Sequence, residues 1–268
     1  MAASRGRRVC DAPEVARALG IDIGGSGIKG AIVEARSGRL VSERERIPTP
    51  QPATVDAVVA VVAEIVDDEG WAGPVGVTFP GVVTGGVVRT AANLDDSWIG
   101  VDAAARFAAA SGRPTAVLND ADAAGLAEVR FGAGRGVTGT VLVLTFGTGI
   151  GSALFHDGRL VPNTELGHIE VRGVDGESRA AASVRERKQL SWGKWSKRVS
   201  EYLRAVEDLV WPDLVIAGGG VSKRFEKWGP RLECRSTVVP ATLQNQAGLV
   251  GAALRAPQPR RAPATRTR

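Results

Sequence analysis

Cysteine is nearly absent from this 268-residue chain, which holds only Cys10 and Cys234. Two thiols so far apart exclude a disulfide framework and a cysteine-based zinc site, and they fit a reducing cytoplasm. Histidine is as scarce, at two residues. Long apolar runs are missing as well. The stretch from Val55 to Val66 is broken by Asp56 and Glu64, inside the window that a bilayer span needs unbroken, so no membrane segment is expected. Arg5, Arg7 and Arg8 crowd the beginning, but no apolar stretch follows them, which argues against a secretory signal.

Acidic residues are missing from both ends. Eight arginines and no acid lie in residues 1–10 and 255–268, so the net charge of +5 leaves −3 on residues 11–254. A basic whole therefore surrounds an acidic body, and no nucleic-acid partner is expected. Within that body, residues 178–204 hold eight Lys/Arg against Glu186 and Glu201. Such a concentration suits an anion track or, equally, a solvated helix face.

What the chain has in abundance is one pattern written twice. Gly25-Ser-Gly-Ile-Lys-Gly-Ala-Ile-Val33, closing on Gly38-Arg-Leu-Val41, returns as Gly147-Thr-Gly-Ile-Gly-Ser-Ala-Leu-Phe155, closing on Gly158-Arg-Leu-Val161. Each copy reads as an apolar strand, a Gly/Ser/Thr turn and a second strand. Glycines let backbone N–H groups point at an anion, and Ser26, Thr145 and Thr148 add hydroxyl donors. Two such hairpins facing each other would hold one phosphate chain, with Gly24, Gly25, Ser26 and Gly27 on one side and Thr145, Gly147, Thr148 and Gly149 on the other.

Between and after the hairpins, strand and helix alternate. Thr54 to Asp68 predicts a helix capped by Thr54, Pro74 to Phe79 a buried strand, Asp102 to Ala110 a short helix, and Thr115 to Leu118 a strand. Asn119 opens a helix running to Arg130. A loop-rich stretch follows the second hairpin to about Leu190, then a helix over Ser196 to Val210, the strand Asp213 to Ala217, and a closing helix from Thr242 to Leu254. This alternation implies an α/β chain of two lobes with a cleft between them. The expected divisions are a flexible tail at 1–18, a small domain at 19–118, a large domain at 119–241, a closing helix at 242–254 returning to the small domain, and a disordered tail at 255–268.

Asp22-Ile-Gly-Gly-Ser, Asn119-Asp120, Leu144-Thr-Phe-Gly-Thr-Gly-Ile-Gly151, Glu165-Leu-Gly-His168 and Val215-Ile-Ala-Gly-Gly-Gly-Val221 occur in the order and spacing of the ROK sugar kinases. The resemblance covers about residues 18–254 and implies the two-lobed actin-like ATPase (ribonuclease H-like) fold. Ser26-Gly-Ile-Lys-Gly30, Asn93-Leu-Asp-Asp-Ser-Trp98 and Lys188-Gln-Leu-Ser-Trp-Gly-Lys-Trp195 resemble the polyphosphate-using branch of that family. The activity so implied is phosphoryl transfer from inorganic polyphosphate or ATP to the 6-hydroxyl of glucose, in a cytoplasmic homodimer. A strictly ATP-dependent hexose kinase is the alternative.

Such a transfer needs a base for the hydroxyl proton, an N–H-rich or positive cradle, and a metal to spread charge. Asp120 follows a buried strand and opens a helix, which puts it at the inter-lobe cleft, where the resemblance places the catalytic aspartate. The helix N-terminus is expected to favour its ionised form; Asn119 and Asp120 also suit plain helix capping. The resemblance implies sugar contacts at Pro80, Gly81, Asn93, Asp96, Asn119, Glu165, His168 and Glu177. It implies Asp22 on the Mg2+ side, although a strand-end Asp also commonly bonds its own turn. Lys29 is the expected phosphate lysine, two residues later than in many ROK chains but on the same strand face. Gly218, Gly219 and Gly220 would cradle an adenosine or the distal phosphates.

One departure stands out. ROK chains commonly carry a three-cysteine, one-histidine zinc motif after the Glu-x-Gly-His element, and Glu177 to Trp195 contains no cysteine, so no structural zinc is expected. Trp192 and Trp195 would have to order this stretch by aromatic packing. A long polyphosphate needs an extended positive groove, expected at Lys194, Lys197, Arg198, Lys223 and Arg224. A sugar-responsive ROK repressor needs a DNA-binding domain ahead of the first strand. Only 18 residues precede Leu19, so that role is not expected.

Overall fold

The computed structural model describes residues 16–92 and 94–257; Asn93 and most of both arginine-rich tails lie outside the described residues. The first half forms β1 (Arg17–Gly24), β2 (Gly27–Glu34), β3 (Arg39–Leu40), β4 (Glu45–Ile47), α1 (Val55–Asp68) and β5 (Val75–Phe79). The hairpin β6 (Val83–Thr84) and β7 (Val87–Val88), then α2 (Ala103–Ser111) and β8 (Thr115–Asn119), complete it. Its sheet has the order β3-β2-β1-β5-β8, with β4 beside β2. The second half begins with α3 (Asp120–Phe131), β9 (Thr140–Phe146), β10 (Ile150–His156) and β11 (Arg159–Val161). It continues through β12 (Glu170–Val171), β13 (Val174–Asp175), α4 (Glu177–Ala180), α5 (Ala182–Arg187) and α6 (Trp192–Val210). Last come β14 (Leu214–Gly218), α7 (Phe225–Trp228), β15 (Thr237–Pro240) and α8 (Ala247–Arg255).

The second sheet has the order β11-β10-β9-β14-β15, which repeats the first apart from β4. In each, an antiparallel hairpin feeds two further strands parallel to its first member. The repeat noticed in the glycine turns is thus a repeat of whole lobes.

Local sequence explains most elements. Thr54 accepts a hydrogen bond from the Ala57 amide and Val58, Val59, Val61, Val62, Ile65 and Val66 bury one face of α1. All five residues of β5 are buried, as expected of a parallel strand covered on both faces. Trp98 packs with Phe79 and Phe107 at the centre of the first core. Helix α8 lies against β1 and β5 so closely that a Cβ on Gly20 or Gly76 would overlap the carbonyls of Leu249 or Ala252.

Three expectations are corrected. β1 starts at Arg17 with Ala18 buried, two residues inside the expected tail. Helix α6 begins at Trp192 rather than Ser196, because the Ser191 side chain caps the Lys194 amide and Trp195 enters the buried stripe with Val199, Tyr202, Leu203 and Val206. Helix α8 begins at Ala247 rather than Thr242. Buried Glu128 captures the amides of Thr242 and Leu243, and Gln244 takes a left-handed φ of 48°, so the chain cannot enter a helix before them. Among the described residues no helix is long and apolar enough to cross a membrane.

Candidate active site

The first sheet passes into the second half at the junction of β8 and α3. Asp120 stands there as the first residue of α3, with its carboxylate taking the Ala121 amide at 2.8 Å. Asn119 caps the helix through the Asp122 amide at 3.0 Å, while its side-chain amide donates to the Gly81 carbonyl at 3.1 Å. The capping role is therefore real, and it falls to Asn119; Asp120 is left facing the cleft.

That cleft encloses about 190 Å3 and is lined by Asp22, Lys29, Asp120, Thr145, Gly218 and Gly219, together with Glu128, Gln244 and Asn245. Register sets the first pair: Asp22 and Lys29 are direct partners across β1 and β2, and the ammonium reaches the carboxylate at 3.1 Å. The other Asp22 oxygen accepts from the Thr78 hydroxyl at 2.9 Å, and that hydroxyl also receives the Ile23 amide. Thr78 was missed by sequence reading; its signal was a lone polar residue in the buried strand Val75–Phe79. Glu128, Gln244 and Asn245 were missed as well, since they reach the cleft only because Glu128 holds residues 242–243 in place.

Burial and the negative charges of Asp22 and Glu165 push the Asp120 carboxyl up to about 7, against the smaller opposing effect of the Ala121 amide. This corrects the expectation that the helix terminus keeps Asp120 readily ionised. Partial charges at a helix end contribute less than desolvation beside two carboxylates. A carboxyl poised near neutrality suits proton transfer in either direction.

The hairpin turns are held from behind. Arg46 donates to the Ser26 carbonyl at 2.9 Å and its guanidinium lies against Gly27. On the second turn, the Ser183 amide and hydroxyl bond the carbonyls of Gly147 and Thr148, at 3.0 and 2.6 Å. Glu177 accepts the Ile150 amide at 3.0 Å and fills the space a Cβ on Gly149 would need. Glycine at 219 has the conformational reason: its φ is 80°, and a Cβ would overlap the carbonyl of Phe146. Gly220, next in line, has open space around it.

On the sugar side, His168 lies 3.9 Å from Glu165 and 3.1 Å from Asp175. The bond to Asp175 raises the imidazole pKa, and burial raises that of Glu165. Asp175 was not foreseen, because it lies on the short strand β13, a different element from His168. Glu177 bonds the second hairpin and also borders this cluster, its charge raising the pKa of both Glu165 and His168. Asp96 is exposed in a short turn capped by its neighbour Asp95. Pro80 adjoins Gly81 at the end of β5.

The basic stretch divides in two. Arg172 and Arg179 pair with Glu201, Arg204 pairs with Glu233, and Arg198 donates to the Arg179 carbonyl. Lys194, Lys197, Lys223 and Arg224 are exposed and have no ion-pair partner among the described residues. Beneath them, Trp192, Trp195, Trp228, Phe225 and Phe146 stack edge to face, with centroids 4.9–6.0 Å apart. Phe146 directly precedes the second glycine turn, so this aromatic knot couples that turn to α6 and α7.

The ROK family pattern matches residues 18–185. The chain belongs to the ROK family. The polyphosphate glucokinase of Mycobacterium tuberculosis (strain CDC 1551 / Oshkosh) is 58% identical over 237 residues, spanning 88% of this chain and 89% of that protein. The crystal structure of the inorganic polyphosphate/ATP-glucomannokinase from Arthrobacter sp. strain KM superposes with a TM-score of 0.85 at 53% identity, covering 89% of this chain and 97% of that one. The ROK glucokinase of Streptomyces griseus, solved with glucose and AMPPNP, gives 0.76 at 25% identity over 88% and 98%. The actin-like architecture of ROK kinases is therefore that of this chain, and its two repeated sheets are the two halves of the ROK fold.

Proposed function

We propose that this ROK chain is a glucokinase that moves a phosphoryl group from inorganic polyphosphate or ATP to the 6-hydroxyl of glucose. The observation that carries the reading is the cleft in which Asp120 faces Asp22 and Lys29 from the strands of the first hairpin and Thr145 from the first strand of the second. Asp120 takes the proton of the attacking hydroxyl. Lys29 and the backbone amides of Gly25–Gly27, Thr148 and Gly149 hold the transferred phosphate and its neighbours as charge shifts to the leaving oxygen, while the Gly147 amide closes its own turn on the Gly149 carbonyl. Asn119, Gly81, Glu165 and His168 bind the sugar hydroxyls, so an analogue lacking one leaves a polar group unpaired.

Magnesium fits the donor set: Asp22 offers one carboxylate at the cleft, and such ions are usually held by one or two carboxylates plus substrate phosphates and water. Bound there, it would neutralise charge on the phosphates. Gly218 and Gly219, opposite Gln244 and Asn245, form the wall for an adenosine. A polyphosphate would continue instead toward Lys194, Lys197, Lys223 and Arg224. The reading also carries a homodimer, which light scattering checks.

Initial rates with glucose or mannose, and with ATP or polyphosphates of defined length, test it. Glucose 6-phosphate should form with both donors, stop when magnesium is removed, and survive a zinc-selective chelator followed by magnesium repletion. No transfer to glucose from either donor overturns it.

A further inference from the structure

Asn163 has no part in the chemistry above, yet its side chain ties the two halves together. Its Oδ1 accepts the Val83 amide at 3.0 Å and its Nδ2 donates to the Val83 carbonyl at 2.9 Å, so one amide side chain satisfies both backbone groups of a residue 80 positions away. Its own backbone amide donates to Asp122 on α3 at 2.8 Å. The post on which it stands is rigid. Ser152 on β10 and Thr164 exchange hydrogen bonds, and Ser152 also accepts the Leu166 amide.

Each end of this link lies beside the site. Val83 follows the Pro80–Gly81 turn, which Asn119 holds from the other side. Asp122 is two residues from Asp120 and Asn163 two from Glu165. Asp122 is 2% exposed, and its second carboxylate oxygen, buried, has no hydrogen-bond partner. A buried carboxylate that keeps only one partner is an unfavourable arrangement, retained where it holds Asn163 in register. Asn163 itself sits at a φ of 57°, a conformation asparagine tolerates better than most residues.

We propose that Asn163 is a positioning residue: it clasps the Val83 backbone of the first lobe to Asp122 on the helix bearing Asp120, so that the Pro80–Gly81 turn, Glu165 and Asp120 keep one geometry around the sugar. The inference rests on the glucokinase reading for its substrate but on Asn163 for its contacts.

Asn163→Gly removes the clasp without backbone strain, since glycine accepts a positive φ. Glucose affinity, measured by calorimetry without donor, and KM for glucose should both weaken about fivefold or more, the scale of a lost hydrogen-bonded contact. KM for ATP should stay within about twofold, and amide exchange over residues 80–88 should quicken. A purely structural role would instead lower stability and kcat and leave glucose and ATP affinities in their original ratio. Glucose affinity within twofold of the parent overturns the proposal, whether or not exchange changes. Should the glycine variant not fold, Asn163→Asp decides by the same criterion, because it keeps the acceptor for the Val83 amide but sets a carboxylate against the Val83 carbonyl. If the parent protein neither binds nor phosphorylates glucose, the glucokinase reading fails. Exchange over residues 80–88 then judges the clasp alone, and unchanged exchange rejects it.

Discussion

The two glycine hairpins are nearly the same in sequence and nearly opposite in how they are held. The first has cations around it: Arg46 behind the turn, and Lys29 on the strand leaving it, paired with Asp22. The second is braced instead by an anion and a hydroxyl, Glu177 and Ser183. Exposed Lys194 and Lys197 on α6, and Lys223 and Arg224 just ahead of α7, belong to the elements that the aromatic knot joins to this turn. The backbone shape is repeated, while on the proposed reading the residues around each copy give it separate work: reacting phosphate and metal at the first, the donor's continuing chain at the second. In neither turn do the glycines adopt a positive φ; Gly27 and Gly149 are needed for room, beside Arg46 and Glu177.

The sharpest break would come at Asp120, which serves both hairpins. Asp120→Asn should lower kcat by at least about 10²-fold with either donor, with glucose affinity within a few-fold; a variant keeping more than a tenth of the rate moves the base elsewhere. The parent's kcat/KM should rise with pH through about 7, because the base must be ionised. Stability runs the other way. A folded-state pKa raised from 3.8 to about 7 means the folded protein holds that proton more tightly than the unfolded chain, so this group's contribution falls as pH climbs through that window. Thermal scans should accordingly find Asp120→Asn more stable than the parent at pH 8, the gap closing toward pH 4.

Separating the hairpins comes next. Lys29→Met should reduce kcat/KM for ATP and for polyphosphate alike by roughly 10- to 100-fold, the range of a lost charge-assisted contact to the transferred group. Ser183→Ala, which loosens only the second turn, should cost about 1 kcal/mol of stability and a few-fold in rate. Equal kinetic effects from the two would erase the division of labour.

The smallest effect should be confined to one donor. Lys194→Ala with Lys197→Ala should raise KM for long polyphosphate several-fold and leave KM for ATP unchanged. Added salt should weaken polyphosphate use more steeply than ATP use, because exposed charges are screened over about 8 Å at physiological ionic strength. The same comparison on a chain spanning Asp11 to Leu254 separates this track from the arginine tails. If truncation abolishes polyphosphate preference and the double variant retains it, the tails are the binding element.

Much of the site was legible because its parts lie in local motifs: Asp22 and Lys29 flank one turn, and Asn119-Asp120 sits at a strand–helix junction. Distant partners were not. Thr78 meets Asp22 only because β5 runs parallel to β1 in that register, Asp175 meets His168 across a small hairpin, and Asn163 meets Val83 between lobes. Gln244 and Asn245 read as helix, since nothing near them in sequence announces that Glu128, more than a hundred residues earlier, will take their neighbours' amides.

By itself, then, the sequence determined the alternation of elements, the duplicated hairpins, the aspartate at the junction and the family, for these depend on periodicity, caps and turn residues within a few positions of one another. Only the tertiary structure decided the ionisation of Asp120, the sorting of the basic stretch into paired and free halves, and the link through Asn163. Charge, burial and long-range hydrogen bonds depend on which residues become neighbours, and folding alone brings together groups that are 80 or more positions apart.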